Sequence, residues 1–112
     1  MDVTKLKSII KERENTNDEY DYGIEQCHKK MLDIITQDAE GTVDFLRNEC
    51  TANEFSWLSE IFDEIAVATN SHEIIDALYF LCKKYPEESK IYNILPFVEN
   101  AESLLKQAKS NQ

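Results

Sequence analysis

Apolar side chains recur along this chain at intervals of three and four residues, and no run of β-branched residues alternates with polar ones. The first pattern lines up one face of a helix, and the absence of the second leaves a sheet with nothing to be built from. Only two glycines and two prolines occur in 112 residues. The punctuation between helices therefore falls mostly to polar caps. Both features point to an all-α chain.

Leu6, Ile9 and Ile10 predict a helix from about Val3 to Arg13, broken at Glu14-Asn15-Thr16-Asn17. A second, from near Asp18 to about Gln37, carries Tyr20, Ile24, Cys27, Met31, Ile34 and Ile35 on its apolar face; Gly23 inside it costs about 1 kcal/mol relative to alanine, which would favour a start after it. Gly41 is read as a break before a short third helix of Val43, Leu46 and Cys50. Thr51-Ala52-Asn53-Glu54 has the form of a capping box, opening a fourth helix to about Thr69 with Phe55, Leu58, Ile61, Phe62, Ile65 and Ala66 in one stripe. Ser71 caps a fifth, whose stripe of Ile74, Ile75, Leu78, Leu81, Cys82 and Tyr85 runs to Pro86. A turn of helix through Ile91 and Tyr92 follows, then a last helix from Pro96 that is expected to bury Phe97, Val98, Ala101, Leu104 and Leu105.

These segments predict a single compact domain, residues 1–112, of about five to seven antiparallel helices, either a bundle or stacked hairpins of the HEAT type. About two-thirds of the residues should be helical. No stretch approaches the roughly 20 apolar residues that span a bilayer, and the first residues lack the apolar core of a signal peptide. A cytoplasmic location is expected. Three cysteines, Cys27, Cys50 and Cys82, cannot all pair, and each falls on an apolar stripe, so they read as reduced core residues.

The charge is unevenly distributed. Between Met31 and Cys82 there are eleven acidic residues and one base, Arg47, so this segment alone accounts for the formal charge of −10. Solubility does not require such segregation, whereas a binding face would produce it. Nucleic acid and anionic membrane are excluded as partners because both are polyanions; a basic protein is the natural one.

The candidate partner-binding residues follow from helical projection. Glu60, Asp63 and Glu64 lie opposite the apolar stripe of the fourth helix, with Trp57 at its border; Glu73 and Asp76 lie opposite the stripe of the fifth, where Phe80 also points outward. Trp57 and Phe80 are either a second core layer against a neighbouring helix or interface anchors ringed by acids. If the acids form the face, reversing Glu60, Asp63 and Glu64 to lysine should slow association and barely change stability.

Catalytic chemistry is not supported, and no enzyme activity, cofactor or metal is expected. Glu25-Gln26-Cys27-His28 has the E-x-x-H spacing of helical di-iron bundles, but the second copy cannot be completed from His72. Cysteines on apolar faces of an acidic chain have raised pKa values and make poor nucleophiles. There is no glycine-rich phosphate loop, and Asp18-Glu19-Tyr20-Asp21 lacks the glycine and terminal glutamate of a calcium loop.

The segment Glu54-Phe55-Ser56-Trp57-Leu58-Ser59-Glu60-Ile61-Phe62-Asp63-Glu64-Ile65, with Ile74-Ile75-Asp76-Ala77-Leu78 and Lys84-Tyr85-Pro86-Glu87-Glu88, resembles small helical bacterial immunity proteins encoded beside polymorphic or contact-dependent growth-inhibition toxins. That resemblance is one of general character and carries over no binding residue by motif. It implies a cytoplasmic protein that binds the C-terminal toxin domain of a secreted effector, often a basic nuclease, and blocks it. The alternative from another class is a helical-hairpin adaptor or scaffold domain that grips a peptide or a larger assembly.

Overall fold

The computed structural model describes residues 1–110. Its helices are α1 (Val3–Glu14), α2 (Asp21–Gln37), α3 (Ala39–Asn48), α4 (Ala52–Leu58), α5 (Phe62–Thr69), α6 (His72–Lys84), α7 (Pro86–Ile91) and α8 (Leu95–Ser110), with a 3-10 turn, Ser59–Ile61, between α4 and α5. Counting α4 and α5 as one interrupted helix gives seven, at the upper end of the expectation. Among the described residues no strand occurs and 83% are helical. That exceeds two-thirds in part because the stretch around Gly41, read as a break, is itself helical, and the turn of helix expected after Pro86 begins at Pro86 itself.

Polar side chains start the helices as their types predict. Thr51 Oγ1 accepts the Glu54 N–H at 3.2 Å while the Glu54 carboxylate accepts the Thr51 N–H at 3.0 Å, a complete capping box. Ser71 Oγ accepts from Ile74 N at 3.2 Å, and Asp2 Oδ1 accepts from Lys5 N at 2.9 Å.

Three boundaries differ from the sequence reading. Gly41 lies inside α3 rather than before it: Asp38 is the cap, accepting the Gly41 N–H at 2.8 Å, and a Cβ on residue 41 would collide with that carboxylate. The α2 helix begins at Asp21, leaving Tyr20 outside it and 55% exposed, with its ring so close over Gly23 that a Cβ there would come within 2.6 Å. The single helix expected from Ala52 to Thr69 is interrupted at Ser59–Ile61. The hydroxyls of Ser56 and Ser59 donate back to the carbonyls of Asn53 and Ser56, a bonding mode that bends helices.

Apart from α1 with α2, the main helix pairs are not neighbours in the chain. The α1 helix packs on α2 and α4, α3 on α6, α5 on α8 and α2, and α6 on α8. The fourth and fifth helices read from the sequence are not each other's main neighbours. Asn70, left-handed at φ 52°, ends α5 and redirects the chain, so α5 and α6 take their principal neighbours from elsewhere. This is a bundle, not a stack of hairpins.

The core draws on every helix except the short α7. Phe45, Phe55 and Phe62 are fully buried, the last two with ring centroids 5.7 Å apart, among Leu6, Met31, Ile74 and Leu78. Cys27 and Cys50 are buried, Cys82 is partly buried, and all three are free thiols. The Cα radius of gyration of 13.3 Å equals the value of about 13 Å expected for one compact domain of this length. Among the described residues no helix is long and apolar enough to cross a membrane.

Candidate partner-binding surface

Glu60, on the 3-10 turn, is the best-connected of the predicted residues. Arg13, at the end of α1, continues the Leu6–Ile9–Ile10 stripe and is therefore drawn inward, with only 4% of its side chain exposed. A buried guanidinium must find acceptors. Its Nε and Nη2 donate to the two Glu60 carboxylate oxygens at 2.7 and 2.8 Å, a fork-on-fork pair, while Nη1 and Nη2 reach Asp18 Oδ1 at 3.3 Å. His28 on α2 places Nε2 at 3.1 Å from Glu60 Oε1. Burial is the largest influence on the Glu60 carboxyl and raises it, but the hydrogen bonds and charges of Arg13 and His28 outweigh burial and hold it below the ordinary glutamate value.

The expectation that Glu60 is a free surface acid is thus corrected. Reversing it would set a lysine against a buried arginine, so the triple reversal of Glu60, Asp63 and Glu64 would lower stability instead of leaving it unchanged. Glu60 is one of three acids of the middle segment that pair with the first helix or the amino terminus. Glu54 meets Lys7 Nζ at 2.9 Å, and Asp38 meets the Met1 amino group at 2.9 Å.

Trp57 on α4 is partly buried beneath the same arginine, with Arg13 Cζ 4.8 Å from its ring. The indole Nε1 is buried without an acceptor in hydrogen-bond range. Glu14, whose carboxyl is lowered chiefly by its hydrogen bond from Lys11, is near enough to feel the indole as a weaker influence. One face of Trp57 is therefore committed to the fold. The rest of the side chain helps to line a hollow of about 270 Å³ with Asn53, Ser56, Ser59, Glu60 and Tyr92.

A second hollow, of about 220 Å³, is lined by Ser59, Glu60, Asp63, Glu64 and Phe97, and so shares Ser59 and Glu60 with the first. Together they form a groove along α4, the 3-10 turn and α5, bordered by the segment that leads from α7 into α8. Asp63 accepts from Asn100 Nδ2 at 3.0 Å at each oxygen, which ties α5 to α8, and Glu64 is exposed. Among the described residues no base lies within ion-pair distance of either carboxylate.

Tyr92 and Phe97, 56% and 50% exposed, are the aromatic rims of this groove. Sequence reasoning did not select them. Phe97 was expected in the core, but at the start of α8 it stands outside while Val98, Ala101 and Leu105 point in; Leu104 is only partly buried. Asn93, left-handed at φ 50°, turns the chain between α7 and α8.

The other three predicted residues lie apart. Glu73, Asp76 and Phe80 are on α6, and among the described residues no hydrogen bond, ion pair or hollow joins them to the groove. Phe80 is 37% exposed, and it is covered by cations of its own chain: Arg47 Cζ lies 5.2 Å and Lys84 Nζ 5.9 Å from the ring. The lone base of the acidic segment thus sits on the aromatic that seemed stranded among carboxylates. The structure brings together Trp57, Glu60, Asp63 and Glu64, and leaves Glu73, Asp76 and Phe80 on another helix. Comparison with known proteins finds no matching family model, no matching curated protein and no matching solved structure.

Proposed function

We propose that the chain is an immunity protein, one that binds the basic C-terminal toxin domain of a secreted effector in the cytoplasm and neutralises it through the groove along α4, the 3-10 turn and α5. The observation that carries this reading is the pair Asp63 and Glu64, without an ion-pair partner among the described residues, facing a half-exposed phenylalanine in one hollow. Unpaired carboxylates steer a basic partner toward the groove, at rates that reach about 10⁸ M⁻¹s⁻¹ at low salt, and aromatics that lose water on contact slow its escape. An inhibitor of a toxin inside the producing cell needs both. The reading assigns no catalytic step to the chain and no cofactor.

The test uses the toxin domain encoded beside the gene of this chain. Cells expressing that domain should survive when the chain is co-expressed. The purified pair should bind with an association rate that falls steeply with salt, and Asp63→Lys with Glu64→Lys should slow association at least about tenfold and flatten the salt dependence. An unchanged rate in that variant, with its helical spectrum intact, would remove the groove from recognition.

A further inference from the structure

We infer that the groove reads two neighbouring side chains of its partner: an apolar or aromatic one that fills the Trp57–Tyr92 hollow, and beside it an arginine or lysine that enters between the Phe97 ring and the carboxylates of Asp63 and Glu64. This rests on the reading of the groove as the partner-binding surface and divides it into two subsites of different chemistry.

The division follows from where the charges are spent. In the first hollow the one ionised group is Glu60, and both of its oxygens already accept from Arg13. A cation entering there would find no free carboxylate and would meet the Arg13 guanidinium that lies over Trp57. What remains is neutral: the indole, the Tyr92 ring, the Asn53 amide and the Ser56 hydroxyl, an environment that rewards an uncharged side chain able to displace water. In the second hollow the situation is reversed. Among the described residues Asp63 gives its two oxygens only to the neutral amide of Asn100 and Glu64 has no basic partner, and the Phe97 ring stands half exposed beside them. Carboxylates next to an aromatic ring hold an ammonium or guanidinium by charge and by the ring quadrupole together.

Because the hollows share the wall formed by Ser59 and Glu60, the two side chains must be neighbours on the partner. The same charges argue against a second copy as occupant. Each copy carries −10, and the groove is where its unpaired acids meet exposed aromatics.

The experiment titrates the ¹⁵N-labelled full chain with three blocked dipeptide amides: acetyl-leucyl-arginine, acetyl-glycyl-arginine and acetyl-leucyl-glutamate. Trp57 is the chain's single tryptophan, so its indole N–H is an unambiguous reporter of the first hollow, while the backbone amides of Asp63, Glu64 and Phe97 report the second. Leucyl-arginine should shift both sets and bind at least about fivefold more tightly than glycyl-arginine, which should shift the second set alone; leucyl-glutamate should leave the second set unmoved. Tyr92→Ala and Phe97→Ala remove exposed rings and should each weaken leucyl-arginine by about fivefold or more, whereas Tyr22→Ala, exposed but away from the groove, should not.

Equal affinity of the two arginine peptides, with shifts confined to Asp63, Glu64 and Phe97, would overturn the two-subsite inference and leave the acidic groove standing. No shift at either hollow with any arginine peptide would overturn both. Shifts at the groove that depend on protein concentration, with no peptide present, would identify a second copy as the occupant and also overturn the inference.

Discussion

Replacing Glu60 by glutamine keeps the size of the side chain and removes one charge, which isolates the value of its pair with Arg13. In the native chain the guanidinium is 4% exposed and donates to both carboxylate oxygens at 2.7 and 2.8 Å; its other carboxylate, Asp18, is 3.3 Å away and 83% exposed, so solvent screens it. Glutamine can accept one of the two bonds, but its amide N–H₂ then faces a guanidinium N–H. One charge-assisted bond worth about 1.5 to 3 kcal/mol is lost. Breaking a fully buried pair costs about 3 to 5 kcal/mol, an upper bound here because 32% of the Glu60 side chain meets water. The expected loss is about 2 to 3 kcal/mol, and an unfolding entropy of about 2.1 cal/mol/K per residue converts this to a fall in Tm of roughly 9 to 13 °C.

Far-ultraviolet circular dichroism melts at pH 7 measure that fall directly. Arg13→Met added to Glu60→Gln should recover much of it, since the stranded charge is gone and the methionine stem fills the same space. The pH dependence has a definite sign. The folded Glu60 carboxyl is held below its ordinary value of 4.5, so the stabilisation is complete above about 4.5 and is lost as the pH falls through the folded value. The gap between wild type and Glu60→Gln should therefore close in acid. If Glu60→Gln melts within about 2 °C of wild type at pH 7, the pair contributes nothing and Glu60 returns to the set of free surface acids.

Two further outcomes are expected. Phe80→Ala should cost about 1 to 2 kcal/mol, less than the roughly 3 to 5 kcal/mol of a core phenylalanine, because the ring is partly exposed and has Arg47 and Lys84 over it; a loss above about 4 kcal/mol in the same melts would make it a core residue. Titration with a thiol reagent at pH 8 should leave Cys27 and Cys50 unmodified in the native protein, since both are buried and burial pushes the Cys50 thiol up to about 12, while the half-buried Cys82 reacts slowly; rapid modification of all three would contradict the packing.

The helices themselves, the caps at Thr51 and Ser71 and the greater part of the core could be read from residue order, because periodicity, a capping box at Thr51 and Glu54, and a stop at Pro86 act within one or two turns of chain. The 3-10 interruption at Ser59–Ile61 lay at the edge of that range: Ser56 and Ser59 are visible, but serines bend a helix only when their hydroxyls turn back on the backbone. Which helix lies on which was beyond it. The pairing of α3 with α6 and α5 with α8 reflects how all the apolar faces can be buried at once, a condition that no single segment carries. The same holds for charge. Projection onto a helix places Glu60 on an outer face, yet Arg13, 47 residues earlier, claims it once α1 packs beside the turn. Phe80 likewise acquires Arg47 from α3, and Phe97 is left exposed because α8 turns Val98, Ala101 and Leu105 toward the core instead. Sequence alone determined that the chain is a helical, acidic domain with its excess charge on the middle helices; tertiary packing decided which of those acids pair inside the fold, as Glu60 does with Arg13, and which, such as Asp63 and Glu64, have no ion-pair partner among the described residues.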